Sequence, residues 1–338
     1  MPRHMTIAIA TIFVIGMTAF VSAGQAAPVI ASWSGGLIID HNCVDLSQVP
    51  GEWIDAAQDN VRIHYAHTSH GSQIATGLTR IESANSTYDC TIQTGTLPTD
   101  EEALCILDGN PPHTYITPDL YWQGESARAI TQNTIDNNAA VTLSLWSWCT
   151  QIDYYDGAGA QEYLDAMSML EAANPTVTFV YMTGNAQAGG SDGYNRRINN
   201  EMIRQYCLDN DKILFDFADL DCWSNGSHST YEYDDGGTTY AVPIEHPDFN
   251  GDEAGHTTFT SCEQKGRAFW WMVAMLAGWN SATTTTSTST TSTTSTSTSS
   301  TTGTTSTTNN LMSTETLFQV SFVAALVLVG VVLYRRRT

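Results

Sequence analysis

Short runs of β-branched and aromatic residues punctuate the chain at Val61 to Tyr65, Val141 to Trp146, Val177 to Met182 and Ile213 to Phe217. Runs of this length and composition predict strands buried on both faces. Between and after them lie stretches with apolar residues at three- and four-residue steps: Gln73 to Ile81, Gln161 to Ala173, Asn195 to Leu208 and Cys262 to Trp279. That spacing predicts helices with one inward face. In the second, Tyr163, Leu164, Met167, Leu170 and Ala173 form the stripe, and Asn174-Pro175 ends it. In the third, Ile198, Met202, Ile203 and Cys207 are expected inward, and Trp270-Trp271 of the fourth belong to the core. Alternating strand and helix predicts an α/β fold, a three-layer α/β/α sandwich around a mostly parallel sheet, with the strand exits on one edge. The stretch from Ser83 to Gly124 is rich in Thr, Asp, Pro and Gly and lacks periodicity, so it is expected to be a lid.

The two ends read differently. Residues 1–26 combine an early arginine, an apolar run and small residues at Ser22-Ala23-Gly24, the pattern of a signal peptide. Residues 317–334 are apolar apart from Gln319 and Ser321 and run into Arg335-Arg336-Arg337. At about 1.5 Å per residue such a helix spans about 27 Å, enough to cross a bilayer core. The arginines of the 335–338 tail are expected to stay in the cytoplasm, which places the domain of residues 28–280 on the outer face of the cell membrane. Residues 281–310 are dominated by Ser and Thr and read as a stalk. Asn85-Ser86-Thr87 and Asn225-Gly226-Ser227 are glycosylation sequons suited to surface loops.

A formal charge of −22 argues against nucleic-acid or anionic-lipid partners for the domain. Seven cysteines outside the cell suggest up to three disulfides, with Cys90 and Cys105 as the preferred pair. There is no CxxC, and no metal or cofactor is expected. The oligomeric state is not written in the sequence.

Candidate chemistry clusters at the strand exits. His67-Thr68-Ser69-His70-Gly71-Ser72 follows the first strand, and a serine nucleophile needs a fixed strand end, a base and oxyanion donors. Ser69 meets the first condition, with Gly71 at the following helix start; Ser72 is the alternative hydroxyl, or either serine caps the helix. Base candidates lie in the segment from His246 to His256, where His256 follows Asp252 and Glu253 by one turn and His246 is the reserve. Asp248, Asn250 and Asp252 also resemble a calcium loop, but Glu253 stands where its glycine is needed. Asn185, after the third strand, is a candidate oxyanion donor. Trp146 and Trp148 share one side of a strand and could stack on a sugar ring, with His67 and His70 near the substrate. Cys149 is a possible thiol nucleophile, although a disulfide is the commoner fate of an exported cysteine. Asp216, Asp219 and Asp221 leave open a paired-carboxylate glycosidase site.

The block His67-Thr68-Ser69-His70-Gly71 resembles the His-x-Ser-x-Gly form of the nucleophile block of SGNH (GDSL-type) hydrolases. The blocks from Trp146, Tyr163, Phe179, Phe215 and Cys262 look like those of exported SGNH-like proteins, and the resemblance spans nearly all of Val61 to Trp279. It implies Ser69 as nucleophile, Gly71 at the oxyanion turn, Asn185 as the SGNH asparagine, and His256 with Asp252 as the late Asp-His block. The expected activity is a cell-surface serine esterase acting on an ester or acylated glycan without a cofactor. The alternative is a non-catalytic glycan- or envelope-binding module on the same fold.

Overall fold

The computed structural model describes residues 36–280; the expected export segment, stalk, membrane helix and basic tail lie outside them. Seven strands form the central sheet: β1 (Leu37–Ile39), β2 (Arg62–His67), β3 (Cys90–Gln93), β4 (Leu104–Asp108), β5 (Leu143–Ser147), β6 (Thr178–Met182) and β7 (Ile213–Phe215). Their order is β1-β7-β6-β5-β2-β4-β3, and every neighbouring pair is parallel. Helices α1 (Gly51–Asn60), α2 (Ser72–Ala84) and α8 (Phe259–Leu276) pack as one layer. Helices α3 (Gly124–Asn137), α5 (Gly157–Ala173) and α6 (Gly190–Asp209), with the short α4 (Gln151–Tyr154), form the other. The architecture is a three-layer α/β/α sandwich. Between β7 and α8 run α7 (Phe217–Cys222) and two antiparallel pairs, β8 (Trp223–Ser224) with β9 (Ser227–His228) and β10 (Thr230–Asp235) with β11 (Thr238–Pro243).

The strand order creates a switch point. From β2 the chain crosses to β3 and β4 on one side, whereas β5, β6 and β7 fill the other. Connections leaving β2 and β5 therefore diverge, and a crevice opens beyond the carboxyl ends of these two strands.

Both strands are buried on both faces, which explains their nearly continuous apolar reading. Among their buried polar residues is His64 in β2. Its Nδ1 lies 2.9 Å from Ser144 Oγ, which in turn lies 2.7 Å from the Tyr121 hydroxyl. Burial brings its pKa down to about 4, so this imidazole is a neutral member of the core. Helices α2 and α8 touch backbone to backbone: a Cβ on Gly77 would stand 1.9 Å from the Cys262 carbonyl oxygen. That contact fixes where α2 lies, and with it the turn that enters it from β2.

Four expectations change here. The stretch from Ser83 to Gly124 is no lid, because it contributes β3 and β4 to the sheet and buries Leu104, Ile106 and Leu107. Ile198 is 44% exposed rather than inward; Asn199 and Asn200 take the buried positions of α6 instead. Cys90 and Cys105 are free thiols, as are the other five cysteines. Cys90 pairs in register with Leu104 and Cys105 with Thr91, so the pleat sends the two sulfurs to opposite sides of the sheet. Trp146 and Trp148 are 0% and 1% exposed. They pack edge-on with each other, Trp122 meets Trp146 edge-on and Trp148 at a tilt, and Trp146 Nε1 donates to the Ile116 carbonyl, so both belong to the core and offer no stacking surface to a sugar. No helix among the described residues is long and apolar enough to cross a membrane.

Candidate active site

Register dictates what meets at the switch point. His67 of β2 pairs with Ser147 of β5, so Ser69 and Cys149 stand at the same distance beyond the paired strand ends. Ser69 Oγ lies 3.4 Å from Cys149 Sγ. One residue further on, His70 places Nδ1 2.9 Å from the same sulfur, and its Nε2 lies 2.8 Å from Gln187 Oε1. The result is a linear Cys149–His70–Gln187 relay drawn from the exits of β5, β2 and β6. Cys149 and His70 are buried and Ser69 is half-buried, which limits competition from water.

The electrostatics separate this thiol from the rest. Burial pushes Cys43 and Cys90 up to about 12 and Cys262 to about 11, and raises Cys105, Cys207 and Cys222 as well. At Cys149 burial acts in the same direction, but the hydrogen bond and charge of His70, with a smaller part from Ser69, overcome it and bring the thiol down to about 5. Reciprocally, the thiolate outweighs the burial penalty on His70 and raises its pKa. The two shifts run in the directions that favour a thiolate–imidazolium pair.

The surroundings are polar. Asp153 lies one turn beyond Cys149; burial raises its pKa to about 6 against the opposing charge of Arg196, and its Oδ1 has no hydrogen-bond partner among the described residues. Asn185 accepts from the Gln187 backbone N–H through Oδ1 at 3.1 Å, while its buried Nδ2 has no partner among the described residues. An unspent donor beside the relay is the type of group an oxyanion needs.

The sequence candidates are distributed as follows. Ser69, His70, Gly71, Asn185 and His256 converge on one rim. Ser69 makes its only side-chain hydrogen bond among the described residues to Cys149, with no imidazole on its hydroxyl. Ser72 Oγ donates to the Ser69 carbonyl at 2.6 Å and closes the turn into α2. Gly71 is required for packing, since a Cβ there would stand 2.3 Å from His67 Cβ. His67 Nδ1 lies 2.7 Å from the Thr68 carbonyl and its Nε2 3.1 Å from Asp108 Oδ1, on the side of β4.

The His256 ring sits 5.0 Å from the His70 ring, and its Nδ1 is 3.7 Å from Asp252 Oδ1, both side chains being largely exposed. Its backbone, at φ 70°, turns the carbonyl onto Gln187 Nε2 at 2.5 Å. Glu253 accepts from the Phe259 N–H at the start of α8. His246 caps the turn at Pro247, its Nδ1 accepting from the Asp248 N–H. Asp216, Asp219 and Asp221 face Arg204, His41 and Lys265 respectively, so none is free to act in a glycosidase pair. Gln187, Glu245 and Asp153 carry no sequence motif. Only the alignment of two strand exits, legible once the strands are paired, would have put His70 on Cys149.

No family model matches the chain, and no curated protein does. Among solved structures, the crystal structure of TubZ from Clostridium botulinum phage c-st aligns at 16% identity and a TM-score of 0.25, covering 47% of this chain. The chain spans about half of that structure's length, 52%.

Proposed function

We propose that the domain is an acyl hydrolase whose nucleophile is Cys149. The observation that carries this reading is the 2.9 Å approach of His70 Nδ1 to Cys149 Sγ, with Gln187 2.8 Å behind the ring. In this reaction the thiolate attacks the carbonyl carbon of an ester, and Ser69 and Asn185 Nδ2 donate to the oxyanion. His70 then gives its proton to the departing alcohol, leaving a thioester. A water attacks that thioester while neutral His70 takes its proton; the carboxylic acid departs and the thiolate–imidazolium pair returns. The chemistry uses only side chains of this chain.

Export and a C-terminal membrane anchor remain part of the proposal, with acylated glycans of the cell surface as the substrate class. The SGNH resemblance supports a second reading in which Ser69 is the nucleophile. One observation favours it: the loop carrying His256 packs on Ser69, a Cβ on Gly255 falling 2.9 Å from the Ser69 carbonyl oxygen.

Two probes separate the readings. Iodoacetamide is expected to label Cys149 with loss of p-nitrophenyl acetate turnover, whereas fluorophosphonate labelling of Ser69 would install the serine reading. A folded domain that takes neither label and turns over no ester would be the non-catalytic binding module.

A further inference from the structure

Resting on the Cys149–His70 reading, we infer that Glu245 is a positioning residue for the relay: it fixes the Gln187 amide and thereby the tautomer of His70. Gln187 Nε2 has two hydrogens and two acceptors, Glu245 Oε1 at 3.1 Å and the His256 carbonyl at 2.5 Å. Rotating the amide by half a turn would set its oxygen against both of these acceptors, so Oε1 is locked toward His70. An acceptor at that place requires a proton on His70 Nε2. In the neutral ring Nδ1 is then the lone-pair atom, aimed at the thiol, and in the charged ring it donates to the thiolate.

Glu245 is itself held. Its Oε1 also accepts from Thr257 Oγ1 at 2.9 Å, and its backbone N–H donates to the Ala186 carbonyl at 2.8 Å, next to Gln187. The Ala186 N–H donates to Asp221 Oδ2 at 2.8 Å, and Asp221 pairs with the fully buried Lys265 at 2.7 Å. The β6 exit loop and the segment after β11 are therefore braced together behind His70. Among the described residues Glu245 has no bond to the sulfur or to His70, so its effect passes through Gln187.

The test is the pH midpoint of thiolate absorbance in the ultraviolet, taken as the difference from Cys149→Ser. Glu245→Ala, and Glu245→Met as a variant that keeps the side-chain volume, are expected to raise the midpoint by about one pH unit, about tenfold less thiolate below it. They should lower kcat with little change in KM. Glu245→Gln retains an acceptor oxygen and should keep the native midpoint. In Gln187→Ala the midpoint rises too, and adding Glu245→Ala to it should produce no further rise, since both act on one bond chain. Native midpoints in Glu245→Ala and Glu245→Met, or shifts that add to that of Gln187→Ala, would overturn the inference while leaving Cys149 as nucleophile. A wild-type midpoint near the ordinary thiol value would instead bring down the reading on which it rests.

Discussion

Two regions at the strand exits of the same sheet carry dense polar groups, and they are used in opposite ways. At the β7 exit, Asp216 is saturated: Arg204 grips it through Nε at 2.6 Å and Nη2 at 2.7 Å, Thr183 Oγ1 donates at 2.8 Å, and the Asp219 N–H donates at 3.2 Å. Beside it His41 lies 2.6 Å from Asp219, and with Asp40 the three offer oxygen and nitrogen atoms within 4.8 Å of one another. At the β2 and β5 exits each group of the relay has just enough partners to be oriented, and at the neighbouring β6 exit a donor, Asn185 Nδ2, is left over among the described residues. Saturation makes a strut, because four donors converge on one carboxylate. Incomplete satisfaction next to a lowered thiol is the arrangement on which the proposed reaction centre rests.

The contrast breaks most sharply at the sulfur. Cys149→Ala is expected to lower ester turnover by at least about 10³-fold with the fold retained, because the covalent step has no substitute atom. His70→Ala should cost about 10²–10⁴-fold, and it should send the Cys149 midpoint back up from about 5, since burial alone raises a thiol. Steady-state kinetics and the ultraviolet titration check both. On the strut, Asp216→Asn should behave in reverse: breaking the largely buried pair with Arg204 is expected to cost about 2–4 kcal/mol in a denaturant melt, with the Cys149 midpoint unmoved.

A pH profile sharpens the same comparison. The thiolate is the depressed group, so kcat/KM should rise with pH through about 5 as Cys149 loses its proton. His70 is the raised group, so activity should fall only above the ordinary histidine range, when the imidazolium that protonates the leaving alcohol disappears. The smallest effect is expected for His256→Ala, within a few-fold of wild type, because the backbone carbonyl and not the ring holds Gln187. Under the serine reading the same substitution removes the base and should abolish turnover.

Much of the architecture was legible in the sequence because central parallel strands advertise themselves. Val177 to Met182 is a β-branched and aromatic run between a helix stop and a loop, and it is β6 nearly to the residue. By contrast β3 and β4 hide among Thr, Asp and Pro, since β3 is an edge strand with half-exposed positions and the turn between them carries the polar residues. Helix α1 has no side-chain cap signal, Pro50 preceding it without a side-chain bond. The sequence candidates Ser69, His70, Asn185 and His256 lie on the rim that carries the proposed relay. The relay's pairings were not legible, because hydrogen bonds between residues 70, 149 and 187 depend on strand register, which a list of motifs does not contain. Cys149 was expected to be oxidised on compartment grounds; the fold instead keeps all seven thiols apart and lowers only this one.

The most direct measurement of the central claim is the pH dependence of Cys149 alkylation by iodoacetamide in the intact domain, with the modified peptide identified. Rapid labelling that switches on near pH 5 and is lost in His70→Ala is the predicted result. A labelling rate that rises only near the ordinary cysteine value of 9.0, or one that His70→Ala leaves unchanged, would contradict the account.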